Sequence, residues 1–237
     1  GGIVETELKT KNFRRLSAQA GKQMIVQAIR TAERERQTRE YEEKREEIIT
    51  AIVDKIDTIS GNLILDTGTG YATLLKAEQI PGETHEVGDR IKVFVTEVKR
   101  ESMAGPIVTL SRTHPNLVKR LFETEVPEIY EGLVEIKSVS REAGSRTKIA
   151  VYSKDENVEP VGACVGQKGT RVQVVVDELR GERIDIIKWS PYADDLIASS
   201  LSPAKALRVF INEEDKSATA IVPDSQLSLA IGREGQN

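Results

Sequence analysis

Two tetrapeptides carry residue types that could hold a phosphate: Gly166-Gln167-Lys168-Gly169 and Gly232-Arg233-Glu234-Gly235. Glycine at both ends lets the main chain approach an anionic group with no Cβ in the way. A helix starting behind such a loop adds free N–H groups and the positive end of its dipole. Thr170 and Arg171 occupy that place after the first loop, and Gln236 and Asn237 after the second. Lys168, Arg171 and Arg233 add positive charge where a phosphate would lie. Apolar neighbours would line a groove for unstacked bases, so the chemistry points to a nucleic-acid backbone. Paired glycines also occur where a helix–turn–helix is only packed tightly, and that reading stays open for both copies. A second basic group, Arg141, Arg146 and Lys148 around Gly144-Ser145, is either an ordinary charged hairpin or the exit of the same groove.

Other chemistry finds little support. His85, in Thr84-His85-Glu86, and His114, before Pro115, have no nucleophile pattern near them. Cys164 sits in an apolar stretch and reads as a small buried hydrophobe. Asp194-Asp195 and Glu213-Glu214-Asp215 fall at a helix start and a hairpin turn, where carboxylates are common for local reasons. Two histidines and one cysteine exclude by count a Cys/His zinc site and a disulfide within the chain. No Walker lysine motif or dinucleotide fingerprint occurs, so no catalysis, metal or cofactor is expected. No apolar run approaches the roughly 20 residues of a membrane span, and the cysteine usage fits a reducing compartment, so a cytoplasmic protein is expected. With 34 basic and 38 acidic residues the chain is mildly acidic, so a nucleic-acid reading must rest on local clusters. Gly1-Gly2 reads as a cleavage scar, and Asn237 as a cut in mid-motif.

The elements that would position these residues follow from periodicity. Phe13, Leu16, Ala20, Met24 and Ala28 recur at helical spacing, with Asn12 as N-cap. The stripe fades into mixed charge between Arg30 and Glu47, and its apolar face calls for a partner. From Ile48 the period becomes two. Five strands are expected, Ile48–Ile56, Ile59–Leu65, Tyr71–Leu75, Arg90–Val98 and Ile107–Ser111, punctuated by glycine turns that include Gly105-Pro106. Such a set predicts a small barrel of the OB type. On the fourth strand Phe94, between Lys92 and Thr96, with Arg112 beyond the last strand, is either a stacking platform for single strands or, more commonly, core.

A helix over Asn116–Glu123, strands over Leu133–Val139 and Thr147–Tyr152, the first glycine loop, a helix over Thr170–Leu179 and a strand over Arg183–Trp189 form the next unit. The pattern then restarts: a helix over Asp194–Ser200, strands over Ala206–Ile211 and Ala218–Val222, a helix over Ser225–Ile231 and the second loop. A glycine loop set between helices in this way is how KH modules clamp about four nucleotides.

Val161-Gly162-Ala163-Cys164-Val165-Gly166-Gln167-Lys168-Gly169-Thr170-Arg171-Val172, followed by Gly181-Glu182-Arg183-Ile184-Asp185-Ile186, closely resembles the first KH domain of the bacterial NusA family of transcription factors. Val126-Pro127-Glu128-Ile129 and the segment from Gly144 to Val151 share that resemblance. Leu229 to Asn237 is similar to the start of the second KH loop, Val108 to Arg112 to the end of the S1 barrel, and Phe13 to Arg34 to the last helix of the N-terminal domain. The resemblance implies an α+β multidomain chain. Its parts would be a helix closing an N-terminal polymerase-binding domain (1–47), an S1/OB-type five-stranded barrel (48–113), and two bacterial-type, or type II, KH domains (114–190 and 191–237). The second KH domain is expected to be truncated, without the helix after its loop. The implied function is non-enzymatic: binding of nascent single-stranded RNA and of RNA polymerase, with other elongation factors as further partners, in pausing, termination and antitermination. Polymerase would be met mainly through the N-terminal domain. The barrel lacks the aromatic-rich second strand of many S1 domains, with Gly61-Asn62-Leu63-Ile64-Leu65 in its place. The alternatives are the RNA-binding part of a phosphorolytic ribonuclease, whose KH module precedes S1, and a protein-interaction scaffold.

Overall fold

A computed structural model describes residues 10–99 and 107–237, with the backbone alone for residues 10–16 and 107. Gly1-Gly2, the Gly105-Pro106 turn and the side chains of Asn12, Phe13 and Leu16 lie outside the described residues. Helix α1 spans Thr10–Glu43, so Asn12 falls inside it and is not its N-cap. Among the described residues, only its last turns dock. Tyr41 is buried in the barrel's core cluster, and its hydroxyl lies 2.5 Å from Thr67 Oγ1. Met24, Ile25 and Ile29 stay exposed.

The barrel strands are β1 (Ile48–Ile56), β2 (Leu63–Asp66), β3 (Tyr71–Leu74), β4 (Arg90–Lys99) and β5 (Ile107–Ser111). They pair antiparallel in the order β3-β2-β1-β4-β5, and β3 comes beside β5 to bring the sheet nearly to closure. Irregularities between Val53 and Lys55 on β1 and between Val95 and Glu97 on β4 bend the strands toward that curvature. Ile49, Ala51 and Val53 point inward at period two. The second strand begins later than expected. Asp57 accepts from Ile59 N–H (3.0 Å) and from the Ser60 hydroxyl (2.5 Å), folding Ile59 into an exposed turn instead.

The next unit runs α2 (Pro115–Glu125), α3 (Pro127–Tyr130), β6 (Val134–Glu142), β7 (Arg146–Ser153), α4 (Pro160–Val165), α5 (Thr170–Glu178) and β8 (Arg183–Lys188). Its sheet is β6-β7-β8, with β7 antiparallel to β6 and parallel to β8. The short α3 has no counterpart in the sequence expectations. The chain continues through α6 (Ala193–Ser200), the hairpin β9 (Arg208–Asn212) and β10 (Ser217–Ile221), and α7 (Leu227–Ile231).

Phe94 joins the barrel to this unit. It is 1% exposed, stacks on the His114 ring at 4.7 Å, and shares a core cluster with Ile80, Leu117 and Phe122. It is core, but the core of a seam between units. Arg112 is buried beside it and pairs through Nε (3.0 Å) and Nη2 (2.6 Å) with the Glu83 carboxylate, while Nη1 reaches Glu178 on α5 (3.2 Å). Neither residue is available as an exposed stacking surface.

Candidate nucleic-acid interface

The two glycine loops have one backbone. Gly166 (φ 74°, ψ 174°) ends α4, Lys168 takes the left-handed conformation (φ 55°, ψ 25°), and Gly169 (φ 78°, ψ 15°) leads into α5. Gly232 (φ 74°, ψ 175°), Glu234 (φ 56°, ψ 24°) and Gly235 (φ 74°) repeat it after α7. Three left-handed or extended positive-φ positions in four residues explain why glycine stands at the ends.

In the first loop the N–H groups of Gln167 and Lys168 bond to no backbone carbonyl among the described residues. Helix α5 starts with no side-chain cap, and its first N–H, that of Thr170, donates back to the Gln167 carbonyl. Gln167, Lys168 and Thr170 are exposed, and Lys168 forms no ion pair among the described residues. Helices α4 and α5 both pack on β8, the sheet's edge strand. The N–H groups of Arg183 and Trp189 point to β7, so by alternation Ile184, Ile186 and Lys188 turn theirs outward. The result is a loop with two amides lacking a backbone acceptor, beside a strand edge whose outward N–H groups likewise have none among the described residues.

The other expected cations are placed differently. Arg141 is buried and forks onto Glu182 (2.9 and 2.8 Å), with Nη1 on the His114 carbonyl (2.9 Å). Glu182 also accepts from Thr147 Oγ1 (2.5 Å) and Gly144 N–H (2.9 Å). Burial alone would push that carboxyl's pKa up; its four donors more than reverse this and hold it below the usual value. Arg141 therefore lies off any surface track, because a buried carboxylate needs its charge. Arg146 pairs with Asp185 (Nε to Oδ2, 2.6 Å). Arg171 donates to the Ala163 carbonyl (2.6 Å) and to Glu128 (2.9 Å).

Lys148 is half-buried and donates to the Ser200 carbonyl and to Asn237 Oδ1 (2.7 Å). Gln236 Nε2 donates to Ser145 Oγ (3.0 Å). Ser145, Lys148, Gln236 and Asn237 thus meet, but as a contact between the two repeats. In the second loop Arg233 and Glu234 are both exposed, with Arg233 Nε 3.7 Å from the carboxylate. Sequence reasoning missed Lys188 and Lys205, which line a groove of about 540 Å³ between β8 and the second repeat. A lone lysine ending the apolar strand Ile184-Asp185-Ile186-Ile187 was the available signal.

His114 caps α2 by accepting from Asn116 N–H (3.1 Å), and His85 is buried with Nε2 3.3 Å from Glu83. Burial pushes the Cys164 thiol up to about 12, so it stays protonated at neutral pH. Among the described residues no group of three or more His, Cys, Asp or Glu could hold a metal ion, and no helix is long and apolar enough to cross a membrane.

A barrel of OB type followed by two glycine-loop repeats defines a protein with an S1-like barrel and tandem KH domains. Residues 112–189 match the NusA-like first KH domain, and residues 193–237 the NusA-like second KH domain. The chain is 50% identical over 237 residues to the transcription termination/antitermination protein NusA of Bacillus subtilis, covering 100% of this chain and 63% of that one. It is 41% identical to the Thermus thermophilus NusA (100% and 61% covered) and 43% identical to the Mycobacterium tuberculosis NusA (99% and 70% covered). The chain belongs to the NusA family. It spans a little over three fifths of the length of its Bacillus and Thermus relatives.

Proposed function

We propose that this chain holds single-stranded RNA for a cytoplasmic factor that associates with bacterial RNA polymerase and modulates pausing, termination and antitermination. The observation that carries the reading is one loop backbone built twice, each copy leaving its two central N–H groups without a backbone acceptor among the described residues. A phosphate against Gln167 and Lys168 would meet those amides and the Lys168 ammonium together, beside the positive end of the α5 dipole. Bases of the same strand would lie along the outward edge of β8. The groove with Lys188 and Lys205 would lead them to the second repeat. In this reading residues 48–113, 114–190 and 191–237 are the S1, first KH and second KH units. Residues 1–47 belong to the unit through which polymerase is met, which suits the exposed Met24, Ile25 and Ile29 on α1.

The test is a titration of short labelled single-stranded RNA, with matched DNA as control, at two salt concentrations. Replacing Gln167→Asp together with Lys168→Asp is expected to weaken RNA binding by at least about tenfold. The log–log salt slope should flatten by about 0.7 for each phosphate that the protein no longer neutralises. Affinity and slope unchanged by the double substitution would sink the assignment.

A further inference from the structure

The two loops share more than glycines. Arg171 stands five residues after Gly166, and Asn237 five after Gly232. Each reaches back to the carbonyl eight residues before it: Arg171 Nη1 to Ala163 (2.6 Å) and Asn237 Nδ2 to Leu229 (3.2 Å). Each also lies under its loop's first glycine. A Cβ on Gly166 would come within 2.7 Å of Arg171 Cγ, and one on Gly232 within 3.0 Å of Asn237 Cβ. Two unlike side chains thus brace one backbone in the same way, between the helix that enters the loop and the turn itself.

Their outer anchors differ. Arg171 is held by Glu128, on α3 of its own unit (2.9 Å). Asn237 is held from across the seam, where its Oδ1 accepts from Lys148 Nζ (2.7 Å) on β7. Gln236 beside it donates to Ser145 Oγ, in the turn between β6 and β7 (3.0 Å). Lys148 is also tied to the Ser200 carbonyl at the end of α6, so its ammonium spans the first sheet and two points of the second repeat.

We infer that Arg171 and Asn237 are equivalent positioning residues for the two loops, and that Lys148 makes the shape of the second loop depend on the first KH unit. The consequence for RNA rests on the function proposed above; the bracing itself does not. The first loop is anchored within its own unit alone, while the second, whose Asn237 Nδ2 also donates to the Leu201 and Ala230 carbonyls of its own repeat (both 3.1 Å), adds an anchor in its neighbour. The anchoring is therefore unequal: loosening the first sheet's face at Lys148 loosens the second loop, whereas disturbing Arg171, bonded only within the first unit, leaves the second loop alone.

Hydrogen exchange on the chain without RNA separates these claims, read at residues 166–170 and 232–236. Losing a hydrogen bond to a charged group should speed local opening by about tenfold. Lys148→Met is expected to accelerate exchange in 232–236 and leave 166–170 unchanged; Arg171→Met is expected to do the reverse. Asn237→Ala, which removes the brace and leaves the Lys148 ammonium its bond to the Ser200 carbonyl, should reproduce the first pattern if Lys148→Met unfolds the chain. No change in 232–236 in either Lys148→Met or Asn237→Ala overturns the inference, as does equal loosening of both loops by Lys148→Met. The same variants are then titrated with labelled single-stranded RNA. Faster exchange with weaker RNA binding supports both the brace and the second loop's grip. Faster exchange with unchanged RNA affinity supports the brace and overturns the RNA role of the second loop.

Discussion

Replacing Gly166 by alanine is expected to break the first loop, whereas the same change at Gly169 should be mild. Gly166 sits at φ 74° and ψ 174°, a region open almost only to glycine, where a side chain costs about 1–3 kcal/mol. Its new Cβ would also lie 2.7 Å from Arg171 Cγ and 3.0 Å from Cδ, so the arginine must leave its bonds to Ala163 and Glu128. That side chain is about a third exposed, so solvent screens the pair and the broken bonds are worth about 1 kcal/mol. Alanine's stiffer unfolded chain returns about 0.4–1 kcal/mol. The net cost at Gly166 is therefore about 1–3.5 kcal/mol. Gly169, at φ 78° and ψ 15°, is ordinary left-handed backbone, and a Cβ there would only touch Val172 at 3.8 Å. Its cost of about 1 kcal/mol is largely offset by the same unfolded-state gain. Urea unfolding followed through Trp189, the single tryptophan, just beyond β8, reads this unit directly. RNA titration follows the same two variants, with Gly166→Ala expected to bind at least tenfold more weakly and Gly169→Ala within about threefold of the parent. Equal destabilisation by the two alanines, or unimpaired RNA binding by Gly166→Ala, would refute the argument that loop shape makes the grip.

Two further outcomes follow from the charge placement. Glu182→Gln leaves Arg141 buried without a counter-charge and should cost about 3–5 kcal/mol in urea unfolding at pH 7. Because the Glu182 carboxyl is held below its usual pKa, its contribution is fully present above the unfolded value near 4.3 and is lost as pH falls through the folded value. The gap between parent and Glu182→Gln should then shrink below about pH 4; a gap unchanged by acid would contradict the pairing. Glu234→Lys removes the carboxylate beside Arg233 and gives the second loop the residue type that Lys168 already supplies at the same φ and ψ. RNA binding should tighten several-fold at low salt, with a slope steeper by about 0.7 and convergence at high salt. No steepening would mean that position does not face a phosphate.

The loops were legible in the sequence because their signal is backbone: only glycine accepts Gly166's φ and ψ, and the same spacing recurs at Gly232. The barrel was legible because Ile49, Ala51 and Val53 alternate with exposed positions. The partners of the cations were not. Arg141 finds Glu182, 41 residues away, and Arg112 finds Glu83, 29 residues away, and no local window holds both ends of such a pair. In a chain with 34 basic and 38 acidic residues, a local run of arginines does not tell a phosphate track from an interior strut. Phe94 did carry a readable mark. Val93, Phe94 and Val95 are consecutive and all buried, which breaks the alternation of a strand with one wet face. Such a run on an antiparallel barrel means that its outer face is covered, and the cover over Phe94 is the α2 unit that begins four residues after β5. The seam was thus implied by three apolar residues in a row. The loops invite a related inference: Lys168 and Glu234 occupy one backbone conformation with opposite charges, so backbone fixes where an anion could sit, and the side chain at that single position sets how strongly each loop would attract it.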